Sequence, residues 1–185
     1  RQIHYHATLQ RGETTLEASI ARVLMKGIVR NGGTFDVDTF RNDYIQFMTT
    51  PGSHNDTYAS TCHRMFFSNL VHANKPPKDC PDNDMHNVDT IDGLILPTIA
   101  AMSELGNASA AGDVAAKCAA VTRRSDVLER VSRLWAKVVV ASIIPGDDDE
   151  NNNHDYDDDA LTTFSKSTLR RSPNPRADDA LTACY

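Results

Sequence analysis

Apolar residues in the first part of the chain recur with the 3.6-residue period of an amphipathic α-helix. The clearest stripe consists of Leu16, Ile20, Val23, Leu24 and Ile28. Thr-Thr-Leu-Glu at residues 14–17 is typical of a capping box, and Asn-Gly-Gly at residues 31–33 is typical of a left-handed helix stop. The pattern predicts a helix over residues 15–30.

Two more amphipathic helices are predicted before residue 75. One covers residues 37–48 and ends ahead of Pro51 and Gly52. The other is predicted to begin with Asp56 as its N-cap and to end at the prolines that follow residue 74. Its apolar face would contain Tyr58, Cys62, Met65, Phe66 and Leu70.

The second half of the chain shows the same helical periodicity, and strand-like alternation is scarce. Helices are predicted over residues 90–105, 108–122, 125–145 and 160–171, with Pro97 as a kink or break in the first of them. Ser125 is the predicted cap of the long helix, whose buried side would contain Val127, Leu128, Val131, Leu134, Trp135, Val138 and Val139. The sequence thus predicts an all-α fold.

Composition supports a folded domain and excludes two classes of partner. The 185 residues are 40% hydrophobic, but none of their apolar runs approaches the roughly 18 residues of a membrane span. The net charge of -6 arises from eight carboxylates within residues 147–159, which leave 17 acidic against 19 basic residues elsewhere. That dispersed remainder argues against nucleic-acid binding. Residues 146–159 are predicted to be a flexible acidic insert within one partial domain that spans residues 1–185.

Cysteine usage and the chain ends add two expectations. Cys62, Cys80, Cys118 and Cys184 form no C-x-x-C pair and have no histidine at zinc-ligand spacing, which favours reduced thiols and a cytoplasmic location. No signal peptide is recognisable at the start. The chain opens without Met and closes on an apolar tail, so it is predicted to be a fragment of a longer domain.

Four polar clusters lie at predicted helix ends or in loops, over residues 12–15, 36–39, 52–57 and 82–87. The first offers a carboxylate and two hydroxyls to Mg²⁺, and the second offers two closely spaced carboxylates, but helix capping is the simpler explanation of both. The third cluster is suited to hydrogen-bond a ribose or phosphate. The fourth lines a polar pocket or only makes a loop soluble.

Several of these segments, in this order along the chain, resemble one known family. They are His-Tyr-His at residues 4–6, Gly-Glu-Thr-Thr-Leu at 12–16, YIQFMTTPGSHNDTYA at 44–59, His-Arg-Met-Phe-Phe at 63–67, the segment 86–97 and Thr-Arg-Arg-Ser at 122–125. Together they resemble the ADP-ribosylglycohydrolase family, and most of all its J-crystallin branch. The stretch over residues 44–59 is the longest and most specific.

The resemblance implies an orthogonal multi-helix bundle, here lacking its N- and C-terminal helices, that hydrolyses the glycosidic bond between ADP-ribose and an acceptor. Two Mg²⁺ ions are implied as cofactors, with Glu13, Thr14 and Thr15 as their ligands. ADP-ribose, or an ADP-ribosylated acceptor, is the implied partner. Its implied contacts are His54, Asn55, Asp56, Thr57, His86 and Asn87.

One departure from the family pattern opens an alternative. The family carries Thr-Asp-Asp-Thr where this chain has Gly-Glu-Thr-Thr at residues 12–15, and two further acidic motifs of the family would lie outside this chain. The resemblance therefore implies an incomplete metal site, and the isolated fragment is predicted to be inactive. The alternative is a non-catalytic structural or interaction protein on the same scaffold, as in the crystallin branch. The sequence identifies no catalytic residue and leaves the oligomeric state open.

Overall fold

The computed structural model describes residues 4–143. This part of the chain contains six α-helices: α1 Leu16–Arg30, α2 Val37–Thr49, α3 Thr61–Val71, α4 Ile95–Ala101, α5 Ala108–Thr122 and α6 Asp126–Ile143. Within the same residues, the β-structure is limited to an isolated bridge between Asp82 and Arg123, and no helix is long and apolar enough to span a membrane. The all-α prediction is confirmed. The predicted acidic insert at 146–159 and the helix predicted over 160–171 lie outside the described residues.

Helix α1 begins and ends as its sequence predicts, but its start is capped differently. Thr15 is the N-cap, and its hydroxyl accepts a hydrogen bond from the amide of Ala18. The predicted capping box is wrong because the Thr14 hydroxyl contacts Ser19 instead, and Glu17 turns inward toward α3. At the other end, glycines with positive φ at residues 32 and 33 close the helix.

The main core forms where α1, α2 and α3 pack together. Tyr44 of α2 and Phe66 of α3 are fully buried, and their rings meet edge to face at 5.2 Å between centroids. Helix α4 packs against α1 and α5 with a face of small residues. The predicted helix over residues 90–105 is α-helical only over Ile95–Ala101, so the predicted break lies just before Pro97. Pro97 itself lies in the first turn of α4, where its missing N–H has no partner to lose.

Helices α5 and α6 pack through small side chains, which corrects the predicted face of α6. Its buried residues are Leu128, Ser132, Ala136 and Val140. The predicted residues Val127, Trp135 and Val138 are instead 40–45% exposed. The facing side of α5 consists of Ala111, Gly112 and Ala115, so the two backbones approach closely and the larger apolar side chains turn away.

Gly112 gives a direct test of this close packing. A Cβ atom there would lie 2.9 Å from Cγ and 3.0 Å from the carbonyl oxygen of Arg133. Alanine is normally favoured over glycine within a helix by about 1 kcal/mol, but overpacking costs about 1–3 kcal/mol. We expect Gly112→Ala to lower the free energy of unfolding by about 1 kcal/mol in urea titrations.

The control for Gly112→Ala is an exposed position on the same helix. Lys117→Gly and Lys117→Ala together measure the intrinsic preference of α5 for alanine, because Lys117 is solvent-exposed. If Gly112→Ala stabilised the protein by the same amount as that difference, close α5–α6 packing would not limit stability.

Candidate functional site

The Asp56 carboxylate lies against the first turn of α1. It accepts hydrogen bonds from the backbone amides of Leu16 at 2.9 Å and Tyr58 at 3.0 Å, and it contacts Nδ1 of His6 at 2.8 Å. Its side chain is only 1% exposed. The prediction that Asp56 caps the third helix is therefore wrong. Helix α3 begins five residues later, and Asp56 instead stabilises the start of α1.

The loop around Asp56 holds the segment that precedes α1. The Asn55 amide donates hydrogen bonds to the Thr8 carbonyl at 2.9 Å and to Oε2 of Glu13 at 3.0 Å. The Thr57 hydroxyl donates to the carbonyl of Tyr5 at 2.9 Å. The structure thus brings together two predicted clusters that are about 40 residues apart in sequence.

The predicted metal ligands are engaged in local hydrogen bonds. Glu13 accepts a hydrogen bond from the amide of Gln10 at 2.8 Å, Thr14 contacts Ser19, and Thr15 caps α1. Within residues 4–143, no group of three or more His, Cys, Asp or Glu side chains is placed to hold a metal ion. One carboxylate and two hydroxyls do not fit a pair of Mg²⁺ ions, whose charge calls for more anionic oxygen ligands.

The remaining predicted substrate contacts lie in different surroundings. The His54 ring packs on Phe47 of α2 with 5.7 Å between centroids, and its Nδ1 is buried without a partner among the described residues. His86 and Asn87 are exposed, and their amides donate to Oδ1 of Asp84 within the same loop. The described hydrogen bonds do not connect these three residues to Glu13 or Asn55.

A buried polar chain, absent from the sequence-based prediction, links α1, α2 and α3. The Tyr44 hydroxyl lies 2.8 Å from Nδ1 of His63, and Nε2 of His63 lies 3.1 Å from both oxygens of Glu17. A carboxylate only accepts hydrogen bonds, so these partners place the proton of a neutral His63 on Nε2 and the Tyr44 proton toward Nδ1. The available signal was His63 itself, which is three residues before Phe66 on the buried face of α3.

The protonation states of this chain follow from its surroundings. Burial raises the pKa of Glu17, but the hydrogen bonds from His63 and Ser60 and the positive charge of Arg123 outweigh burial, so the pKa lies below its usual value. Burial raises the pKa of Tyr44 well above its usual value, with nearby acidic groups adding to the effect. Near neutral pH Glu17 is therefore an anion, and Tyr44 is a neutral donor.

A buried arginine faces this chain from the junction of α5 and α6. The side chain of Arg123 is 6% exposed and donates to the Val88 carbonyl at 2.9 Å, the Thr90 hydroxyl at 3.0 Å and the Asp92 carboxylate at 2.6 Å. A Cβ on Gly93 would lie 2.9 and 3.0 Å from the two methyl groups of Leu128 and 3.2 Å from Nη1 of Arg123, so the absence of a side chain allows both residues to approach the loop.

Glu17, His63, Asp92 and Arg123 line one cavity, named here the Glu17–Arg123 recess, whose other walls come mainly from α4 and α5. Its free volume is about 10 Å³, which is about the size needed for one water molecule. The Glu17 and Asp92 side chains are 31% and 42% exposed, so both carboxylates remain in reach of solvent. The recess joins two anions, an imidazole and a guanidinium around a water-sized space.

Acid should destabilise the fold. The pKa values of Glu13, Glu17, Asp56 and Asp92 are all lowered in the folded state. Groups with a lowered folded pKa contribute stability above their unfolded pKa of about 4 and lose it as the pH falls through the folded value. We expect the free energy of unfolding to decrease below about pH 4 in urea titrations. A rise in stability between about pH 5 and 3 would show that groups with a raised pKa, such as Glu129, dominate instead.

The fold and the recess define an all-α domain with a partly buried carboxylate–imidazole pair. The model of the ADP-ribosylglycohydrolase family matches residues 1–183. The chain therefore belongs to the ADP-ribosylglycohydrolase family, and its described helices agree with the all-α fold of that family. Comparisons with curated proteins and with solved structures gave no significant match.

Proposed function

We propose that the protein to which this chain belongs hydrolyses the glycosidic bond that joins ADP-ribose to an acceptor. The match of the ADP-ribosylglycohydrolase family over residues 1–183 carries this proposal. The Glu17–Arg123 recess supports it, because an ionised carboxylate beside a water-sized space is suited to accept a proton from water. In the same proposal, ADP-ribose contacts the polar loops that contain His54, His86 and Asn87.

Metal ions have no assigned step in this proposal. Glu13, Thr14 and Thr15 do not fit two Mg²⁺ ions, since their polar groups already serve α1 and the loop at Asn55. Assays with Mg²⁺ and with EDTA therefore belong in the test.

The test is release of ADP-ribose by the purified parent protein that contains these 185 residues, since the isolated fragment is predicted to be inactive. Peptides carrying ADP-ribose on arginine or serine, and O-acetyl-ADP-ribose, represent three acceptor chemistries. We expect chromatography to detect free ADP-ribose from at least one of them. Failure with all three, with and without Mg²⁺, would contradict the hydrolase proposal.

A non-catalytic role on the same scaffold is the second candidate. It is favoured by one observation: the polar groups of the 12–15 segment are used to hold α1 and the preceding segment rather than left open. Calorimetry with ADP-ribose separates the candidates. Micromolar binding would contradict a purely structural role, whereas the absence of both binding and hydrolysis in a cooperatively folded chain would support it.

A further inference from the structure

Glu17 is a carboxylate that the resemblance does not assign to any role. We propose that Glu17 takes the proton from the water molecule that attacks the ribose carbon, and that this water occupies the Glu17–Arg123 recess. This inference rests on the proposed hydrolase function, and it names Glu17 as the general base of the reaction.

The first argument is the way in which Glu17 is held. His63 is 2% exposed and lies 3.1 Å from both carboxylate oxygens, while Tyr44 fixes the opposite nitrogen of the same ring. The contact with His63 restricts the rotation of the Glu17 carboxylate. The carboxylate can still accept a hydrogen bond from water, because Glu17 lines the recess and is 31% exposed.

The second argument is the size and charge of the recess. A volume of about 10 Å³ admits one water molecule but no part of a sugar ring, so the ribose would have to approach from the open side. Asp92 lies on the same wall as Arg123, which holds it by a hydrogen bond of 2.6 Å.

The chemical step balances within these groups and solvent. The water oxygen forms a bond to the anomeric carbon of ribose, and the bond from that carbon to the acceptor breaks with its electron pair going to the acceptor. The water proton passes to Glu17, and the acceptor takes a proton from solvent. Glu17 then returns its proton to solvent, which restores the starting anion.

If Glu17 had a purely structural role, its carboxylate would be expected to be buried. A carboxylate that only satisfies a buried histidine would be enclosed with it, as the nearby hydroxyl of Tyr44 is. Glu17 instead combines a fully buried partner with an open side toward solvent and a second carboxylate. His63 and Tyr44 are positioning residues in this arrangement.

The experiment measures hydrolysis by the parent protein, with each substitution made at its position in these 185 residues, on the best of the three substrates. We expect Glu17→Gln to lower kcat by about 100-fold or more while KM changes by less than about threefold. The matched control is Glu104→Gln, since the Glu104 side chain makes no hydrogen bond or ion pair within residues 4–143. The control should retain the wild-type rate.

Azide provides a second measurement that does not depend on the stability of Glu17→Gln. Azide attacks carbon without losing a proton, so it should restore turnover of Glu17→Ala by about tenfold or more and yield ADP-ribosyl azide, detectable by mass spectrometry. Such rescue would also show that the variant is folded.

The outcomes are distinct for the two proposals. Wild-type hydrolysis together with undiminished rates for Glu17→Gln and Glu17→Ala would overturn the role of Glu17 and leave the hydrolase function standing. An inactive wild-type parent protein would overturn the hydrolase proposal, and the role of Glu17 with it. An equal loss in Glu104→Gln would also overturn the specific role of Glu17.

Discussion

Replacement of Arg123 by methionine is expected to lower the free energy of unfolding by about 3 kcal/mol. Methionine preserves most of the apolar stem but removes three donated hydrogen bonds. The carbonyl of the fully buried Val88 would lose its donor, and Asp92 would lose its cation. Because Asp92 is 42% exposed, water can solvate it, so the loss should lie at the lower end of the range for a broken buried ion pair.

Arg133→Met provides the matched control on the neighbouring helix. Arg133 pairs with Asp113 on the surface, where the two side chains are 44% and 55% exposed. Exposed ion pairs contribute about 0–1 kcal/mol, so this variant should unfold at nearly the wild-type urea concentration. If the two variants lost similar stability, burial of the Arg123 guanidinium would not be what makes it important.

Local signals in the sequence were sufficient to predict most helix boundaries. The bounds of α5 coincide with the prediction, and those of α1 and α2 differ from it by one residue. The Ser125 hydroxyl accepts a hydrogen bond from the amide of Leu128, as expected of a cap. Capping residues, glycine stops and the 3.6-residue period all act within a few positions, so a linear pattern records them.

Features that depend on distant parts of the chain could not be predicted in the same way. Asp56 has the composition of an N-cap for the following helix, yet its amide partner Leu16 lies 40 residues earlier. Glu17 fits a capping box, yet its partner His63 lies 46 residues later. On α6, Ser132 is buried while Trp135 is exposed. Helix α5 approaches so closely that only small side chains fit between the two helices, whatever their hydrophobicity. The candidate site is made almost entirely of such distant pairs.

Asp56→Ala is expected to lower the free energy of unfolding by about 3 kcal/mol. The substitution leaves the amides of Leu16 and Tyr58 without their acceptor and removes the contact with His6. Since Leu16 is 2% exposed, water cannot readily replace the carboxylate at the first turn of α1. The segment before α1 should also exchange its amide hydrogens faster, because Asp56 anchors it through His6.

Asp36→Ala isolates the contribution of burial, because Asp36 also accepts an amide hydrogen bond at a helix start. Its carboxylate caps α2 at 2.7 Å from the Thr39 nitrogen, but the residue is exposed. Loss of an exposed cap costs about 1 kcal/mol. Hydrogen exchange before α1 should then remain at the wild-type rate. Equal losses in the two variants, or unchanged exchange in Asp56→Ala, would mean that Asp56 is an ordinary cap and that the segment before α1 is held by the other contacts of its loop.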